Sequence, residues 1–449
     1  MPLEPNINAL WFGKQAAKGT ENTTPAHRGI WVGGDLELNR DDGSEPYSDL
    51  SKYGDATDYI NSLTGGGTLG IEATPSETGA LLWLAHGQET VTAGTNNVWT
   101  VAGAPSSGTF TLNIWDGTQS VAITGIANTV SSAALATSIN NALTAVGHTG
   151  TPVATSGGPL NSGSITVTFS GTTTARRPFV LSKTSDTTSP AVTLTESTPA
   201  VRTKHNFVPQ ITQGHWATFV KRVGSSEVMR QAFIDALIGG FTIEGNTGQK
   251  PVRISPQVLS LDPGKTVASD PAAELPEGPE RRPFLYTDGV GAFEIDGLVA
   301  RGQSQFQFSV NEDRSPVYAD DVVAHDLAVG TSTATIGCTI VFDEAGHEEW
   351  NRLVYGEANP AAGTRPVRNL PALGSYATSL VHKDSRGLPT GHRLDVSIPG
   401  VKWAVPPAPA PNPSGGNTEV ALAGQVRTVA GEDPYSIDVY NQDASAYSA

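Results

Sequence analysis

Fifteen residues in the first quarter of the chain recur far downstream. Leu69-Gly-Ile-Glu-Ala-Thr-Pro-Ser-Glu-Thr-Gly-Ala-Leu-Leu-Trp83 lies on Ile336-Gly-Cys-Thr-Ile-Val-Phe-Asp-Glu-Ala-Gly-His-Glu-Glu-Trp350 without a gap, at an offset of 267. Gly70, Glu77, Gly79 and Trp83 meet Gly337, Glu344, Gly346 and Trp350. Both copies read alike: a short strand ends at a capping residue, Ser76 or Asp343, and a helix follows with an acid in its first turn, where the helix dipole favours negative charge. Farther on, Gly214-His-Trp-Ala-Thr218 lies on Gly374-Ser-Tyr-Ala-Thr378, and Ile238 and Gly240 lie on Ile398 and Gly400. The offset there is 160, so the first copy carries about 107 additional residues between Trp83 and Gly214.

That extra stretch has its own character. Between Val101 and Ala200 the charged residues are Asp116, Arg176, Arg177, Lys183, Asp186 and Glu196, which sum to zero, while Ser and Thr abound. Gly108–Ile114 and Ser164–Phe169 alternate as half-buried strands do, and Leu135, Ile139, Leu143 and Val146 recur at helical spacing. A separate small α+β domain is expected at 102–204. The first repeat copy then occupies 1–101 and 205–267, a Pro- and charge-rich linker 268–283, and the second copy 284–449. The Pro-rich run 406–416 reads as an elongated surface hairpin, because its counterpart is the short turn Gly245–Gln249.

With 49 Gly and 31 Pro among 449 residues and only 16% charged, the chain suits many short strands and turns. The fold class expected is mainly β. Net charge of -16 disfavours a groove that grips nucleic acid through phosphate contacts. A single cysteine, Cys338, excludes an internal disulfide and paired-cysteine metal sites. The N-terminal residues lack a basic segment followed by an apolar one, so no secretory signal is expected, and no apolar run approaches membrane-spanning length.

Catalytic motifs fail individually. Pro263-Gly-Lys-Thr266 would need its first phosphate-loop glycine where Leu259 stands. Gly289-Val-Gly-Ala-Phe-Glu294 has Glu at its third glycine position, and His347-Glu-Glu-Trp-Asn351 has Asn at the second zinc-ligand position. The pairs Asp41-Asp42 and Asp320-Asp321 lack the calcium-loop pattern around them. No catalytic, cofactor or metal residues are therefore assigned. The charge concentrates instead: Asp35, Glu37, Asp41, Asp42, Glu45, Asp49, Asp55 and Asp58 face only Arg40 and Lys52 in their stretch, either a solvated loop or a lining that a polyanion passes without sticking.

On three patterns the two repeated halves resemble the tail tube (major tail) proteins of long-tailed, non-contractile bacteriophages. These are the twice-seen strand–cap–helix unit, the block Trp216-Ala-Thr-Phe-Val-Lys-Arg-Val with Phe241-Thr-Ile-Glu, and the C-terminal order Arg393–Trp403, Glu419–Val426 and Tyr435–Asn441. The resemblance covers about 340 residues and leaves out the insert. It implies two tandem β-sandwich or barrel domains, each flanked by one α-helix, with the insert on the outside. It further implies that three chains supply the six units of a ring, and that rings stack into a tube for DNA ejection. Contacts between rings, or lumen positions, would come from Asp41, Asp42, Glu45, Asp49, Asp55, Asp58, Asp313, Asp320 and Asp321, on long loops spanning Arg40–Gly66 and Asp313–Thr333. Trp83 and Trp350 would turn their outer-face helices, at Ser76–His86 and Asp343–Tyr355, toward the sandwich. The implied partners are further copies of itself, a tape measure protein, tail terminator and distal tail proteins, and double-stranded DNA passing without specific binding; no membrane is involved. The implied location is the virion tail, after assembly in the host cytoplasm. An alternative is a virion surface protein whose insert binds host carbohydrate.

Overall fold

The computed structural model describes residues 8–447 except 47–55, 95–96, 116–119, 148–152, 170–178, 199–200, 210–213, 225–227, 248–250, 276–280, 287–293, 296–297, 300–302, 319–320, 322, 367–372, 385–386, 388, 410–417, 442 and 444–446, with backbone only at 42–46, 56–61, 263, 294–295, 298–299 and 345. The fold is mainly β. Its first part runs β1 (Ala9–Lys14), β2 (His27–Gly29), β3 (Trp31–Gly34), β4 (Glu37–Pro46), β5 (Ala56–Glu72), helix α1 (Pro75–His86) and β6 (Thr90–Thr92). The insert follows as β7 (Val98–Ala102), β8 (Thr109–Trp115), β9 (Ser120–Ala127), α2 (Ser132–Ala145), β10 (Val153–Gly157), β11 (Ile165–Phe169), β12 (Val180–Asp186) and β13 (Thr193–Thr198). The first half resumes with β14 (Thr203–Phe207), β15 (Ala217–Val223), β16 (Met229–Asn246) and β17 (Arg253–Thr266). The second half comprises β18 (Glu294–Ile295), β19 (Leu298–Val299), β20 (Gln303–Val317), β21 (Asp326–Val341), α3 (Glu344–Tyr355), β22 (Gly374–Lys383), β23 (Pro389–Trp403), β24 (Glu419–Val426) and β25 (Ser436–Asn441).

The two halves repeat one strand order. In the first, antiparallel ladders link β2, β1, β15, β16, β17 and β5, and β5 carries β3 and β4 on its far edge. In the second the same path runs β19, β18, β22, β23, β24, β21 and β20. Period-two burial drives it: β22 alternates buried and half-buried residues along its length, so one face meets the core and the other stays partly exposed. The shared core collects Phe12, Leu69, Phe219 and Ile254 from the first half with Phe308, Ile336, Leu394 and Val439 from the second.

Among the described residues β25 has no counterpart in the first half. It pairs with β23 on one side and with β14 on the other, stitching the end of the second half onto the first. The linker segment is pinned as well: Asp270 meets Arg222 at 2.6 Å and also binds Arg230, and the carbonyl of Ala273 accepts from the Trp11 indole at 2.8 Å.

The insert has its own core of Val101, Phe110, Leu135, Ile139, Leu143, Ile165 and Val167, closed by a four-stranded sheet, a three-stranded sheet and α2. Ser131 caps α2 by accepting from the Ala134 amide, and Leu135, Ile139 and Leu143 form its buried stripe. The boundaries expected at 102 and 204 shift, because Val98–Ala102 ladders with β11 and β13 of the insert while Thr203–Phe207 ladders with β6 and β25. Ser and Thr abound on both sides of the first junction, so composition does not mark the change of sheet there. Thr92 and Lys204 face each other in the β6–β14 ladder, and the insert hangs from that two-stranded stalk.

Because ladder partners lie about 5 Å apart, the stalk can be closed by a tight turn. Replacing residues 94–201 by Asn-Gly should leave the remaining chain folded, with its unfolding midpoint near that of the full chain by circular dichroism. Loss of cooperative unfolding would show that the insert supports the main sheet.

Candidate assembly interface

The strongest contact between the halves is a ladder, not a helix packing. Gly240 through Asn246 of β16 pair with Asn311 through Gln305 of β20, so two repeat sheets join edge to edge. On one face Phe241, Ile243, Phe306, Phe308 and Val310 are buried together; on the other, Thr242 and Ser309 hydroxyls lie 3.0 Å apart. Gly245 is required here, since a Cβ would come within 2.7 Å of the Phe306 ring and 2.8 Å of Tyr286. Burying each large apolar side chain contributes roughly 1.5–3 kcal/mol, and the ladder satisfies backbone groups that an edge strand leaves bare.

Among the described residues, the acidic candidates fall on two hairpins that an isolated bridge between Leu63 and Val323 joins. Glu37–Pro46 and Ala56–Glu72 form a hairpin laddered out to Pro46 and Ala56, and Gln303–Val317 and Asp326–Val341 one laddered out to Val317 and Asp326. The stretches expected as long loops are thus largely strand, because antiparallel pairing continues wherever both partners stay extended. Asp41 lies exposed opposite Ser62, and Asp42 and Asp58 occupy facing strands as partners of Ile60 and Ser44. Glu45 is partnered by Thr57. Asp313 and Asp321 are exposed on the second hairpin. Asp49, Asp55 and Asp320 lie outside the described residues. Among the described residues no group of three or more His, Cys, Asp or Glu is arranged to hold a metal ion. Asp35, at the head of the acidic stretch, is anchored by the buried Lys221 at 3.0 Å.

The two repeat helices differ more than their sequences suggest. The cap position of α1 lies two residues earlier than expected: Thr74 holds it and Pro75 opens the first turn, a favoured place for a residue without an N–H, so Ser76 does not cap. Asp343 does cap α3, accepting from the Gly346 amide at 2.9 Å. All of α1 except Ser76 is buried, against β2, β14 and β16 and against β23 and β25 of the second half. This enclosure replaces the outer-face position expected for it. Trp83 is 5% exposed and packs tilted against His215, with ring centroids 4.3 Å apart. α3 keeps an exposed side, and Trp350 is half-buried, donating to the Pro407 carbonyl at 3.1 Å. His347 and Asn351, the zinc-like pair, lie on α3, where Asn351 donates to the Ala358 carbonyl at 2.9 Å and closes the helix end.

Sequence reasoning missed the polar network that ties α1 to the C-terminal residues. The Tyr447 hydroxyl donates to the Ser76 carbonyl at 3.3 Å and comes so near the helix that a Cβ at Gly79 would lie 2.1 Å from it. His205 bridges Glu89 at 2.8 Å and the Asp443 carbonyl at 3.0 Å. Partners separated by more than 100 residues leave no spacing signal. Burial raises the Glu77 carboxyl above its usual range, opposed by His27 at 3.5 Å. Burial lowers His86 to about 4 and pushes the Cys338 thiol up to about 12.

No known protein-family model matches the sequence, and no curated protein matches it. Among the described residues no helix is long and apolar enough to cross a membrane.

Two outcomes follow from the helices. Trp83→Ala should cost about 3–5 kcal/mol in denaturant unfolding, and Trp350→Ala roughly half as much, because it removes less buried surface. Equal costs would contradict the unequal burial. His86 binds a proton more readily unfolded, at 6.5, than folded, at about 4. Its contribution is therefore full above pH 6.5 and is lost as pH falls toward 4, by about 3 kcal/mol. The stability difference between the native chain and His86→Gln should shrink by that amount over this window; parallel pH curves would show that His86 is not held neutral.

Proposed function

We propose that this chain is a self-assembling tail tube subunit of a long-tailed, non-contractile bacteriophage, with no catalytic role. The observation that carries the reading is the β16–β20 ladder: two copies of one sheet are joined edge to edge inside a single chain. A heterologous contact of this kind, repeated between chains, generates a ring or a helical filament. Three chains then supply six sheet units, and stacked rings enclose a conduit.

Three further features support it. The insert is neutral, so the whole excess of acid belongs to the repeated part and repels a passing polyanion instead of gripping it. The insert has its own core and a two-stranded stalk, which suits a module carried outside the tube. The two hairpins, β4–β5 and β20–β21, extend from corresponding edges of the two units and would reach neighbouring rings. In this reading the chain's partners are its own copies, a tape measure protein within, terminator and distal tail proteins at the ends, and DNA in transit; its place is the virion tail.

Negative-stain electron microscopy of concentrated protein, beside its mass in solution, tests the reading. Hollow tubes, or rings with a mass near three times 46.8 kDa, are expected. A monomer that persists across a wide concentration range counts against it and brings glycan binding by the insert forward.

A further inference from the structure

We infer that one chain joins the next through a β-ladder between the edge Trp31–Leu38 of one copy and the segment Val401–Val405 of another, an inference that rests on the self-assembly reading. The internal junction is the template. In the second half Ile336 and Gly337 of β21 face Phe308 and Gln307 of β20, the strand that pairs with β16. In the first half the matching residues Leu69 and Gly70 face Gly34 and Gly33. β3 and the start of β4 therefore stand where β20 stands.

The opposite side of the junction has its own counterpart. Gln257-Val258 of β17 faces Gly240 and Ile238 of β16, and Gln425-Val426 of β24 faces Lys402 and Val401 of β23. The end of β23 and the residues just after it thus stand where Gly240–Asn246 stands. Among the described residues, β3 and β4 ladder only with β5, and Lys402 and Trp403 only with β24. One chain consequently carries one completed junction and both halves of a second.

The chemistry of these two edges is complementary. Val32, Leu38 and Val405 are 39%, 49% and 60% exposed, among the few large apolar side chains left in water. Asp35 and Glu37 lie on one edge and Lys402 on the other. A cavity of about 610 Å³, bounded by Gln307, Ser309, Ile336, Lys402, Trp403 and Gln425, opens beside the second edge. In the single chain the Trp31 indole donates to the Gly33 and Gly34 carbonyls at 2.8 and 3.2 Å. It therefore covers part of the first edge, a guard against indiscriminate pairing. The occupant of each edge is a second copy of this chain.

Val32→Cys protein mixed with Val405→Cys protein tests this. A short bis-maleimide spans a slip of a residue or two, and the native Cys338 is buried and does not compete. The expected result is a covalent dimer at twice the chain mass whose linked peptides contain positions 32 and 405, absent when either variant is treated alone. Rings or tubes in the microscope without that link would overturn this interface and leave the tube reading standing. Neither assemblies nor link would overturn both.

Discussion

Edge strands dictate this architecture. A sheet that stops leaves a row of unpaired amide and carbonyl groups, which must be covered, paired or made unattractive. Here β16 extends past the end of β15 and takes β20 of the second half alongside, so the long strand serves two sheets in turn. Everything nearby accommodates that choice: Gly245 admits Phe306 and Tyr286, and Phe241 packs edge-on to Phe308 at 6.3 Å. Without the ladder each half would be an open sheet with one apolar margin in water.

The fate of the two helices follows from the same joint. Joining the halves brings β23 and β25 over α1, which is enclosed, whereas among the described residues α3 keeps an exposed side. Composition had recorded the difference: Ala80-Leu81-Leu82 in one copy stands against His347-Glu348-Glu349 in the other. Glycine is shared for different reasons. At Gly79 a Cβ would strike Tyr447, and at Gly346 it would lie 2.3 Å from the Val341 carbonyl.

Much of the fold was legible because duplication and periodicity are local signals. The repeated strand–helix unit, the inserted domain and the Leu135–Ile139–Leu143 stripe of its helix all lie in runs that can be read by eye. The errors came where a neighbour distant in sequence decides. Ser76 looked like a cap until Pro75 set the first turn, and Arg40–Gly66 was expected as a loop from the resemblance alone, yet its two arms pair. Val98–Ala102 looked like the repeat until its ladder placed it in the insert. The edges at Trp31 and Val405 were invisible for a further reason: what marks them is the absence of a strand, and absence has no sequence pattern.

Charge and topology then limit each other. An edge left unpaired for a second copy must not pair with the wrong chain, and the surest protection in a concentrated solution is like charge. The acidic run begins at Asp35, on the edge itself, and continues along β4. Two chains meeting with the same edges are repelled, while the edge carrying Lys402 is not. On the proposed reading, the acids that would keep a passing polyanion from sticking would also impose head-to-tail order on the subunits, so that one charge distribution would serve both assembly and conduit.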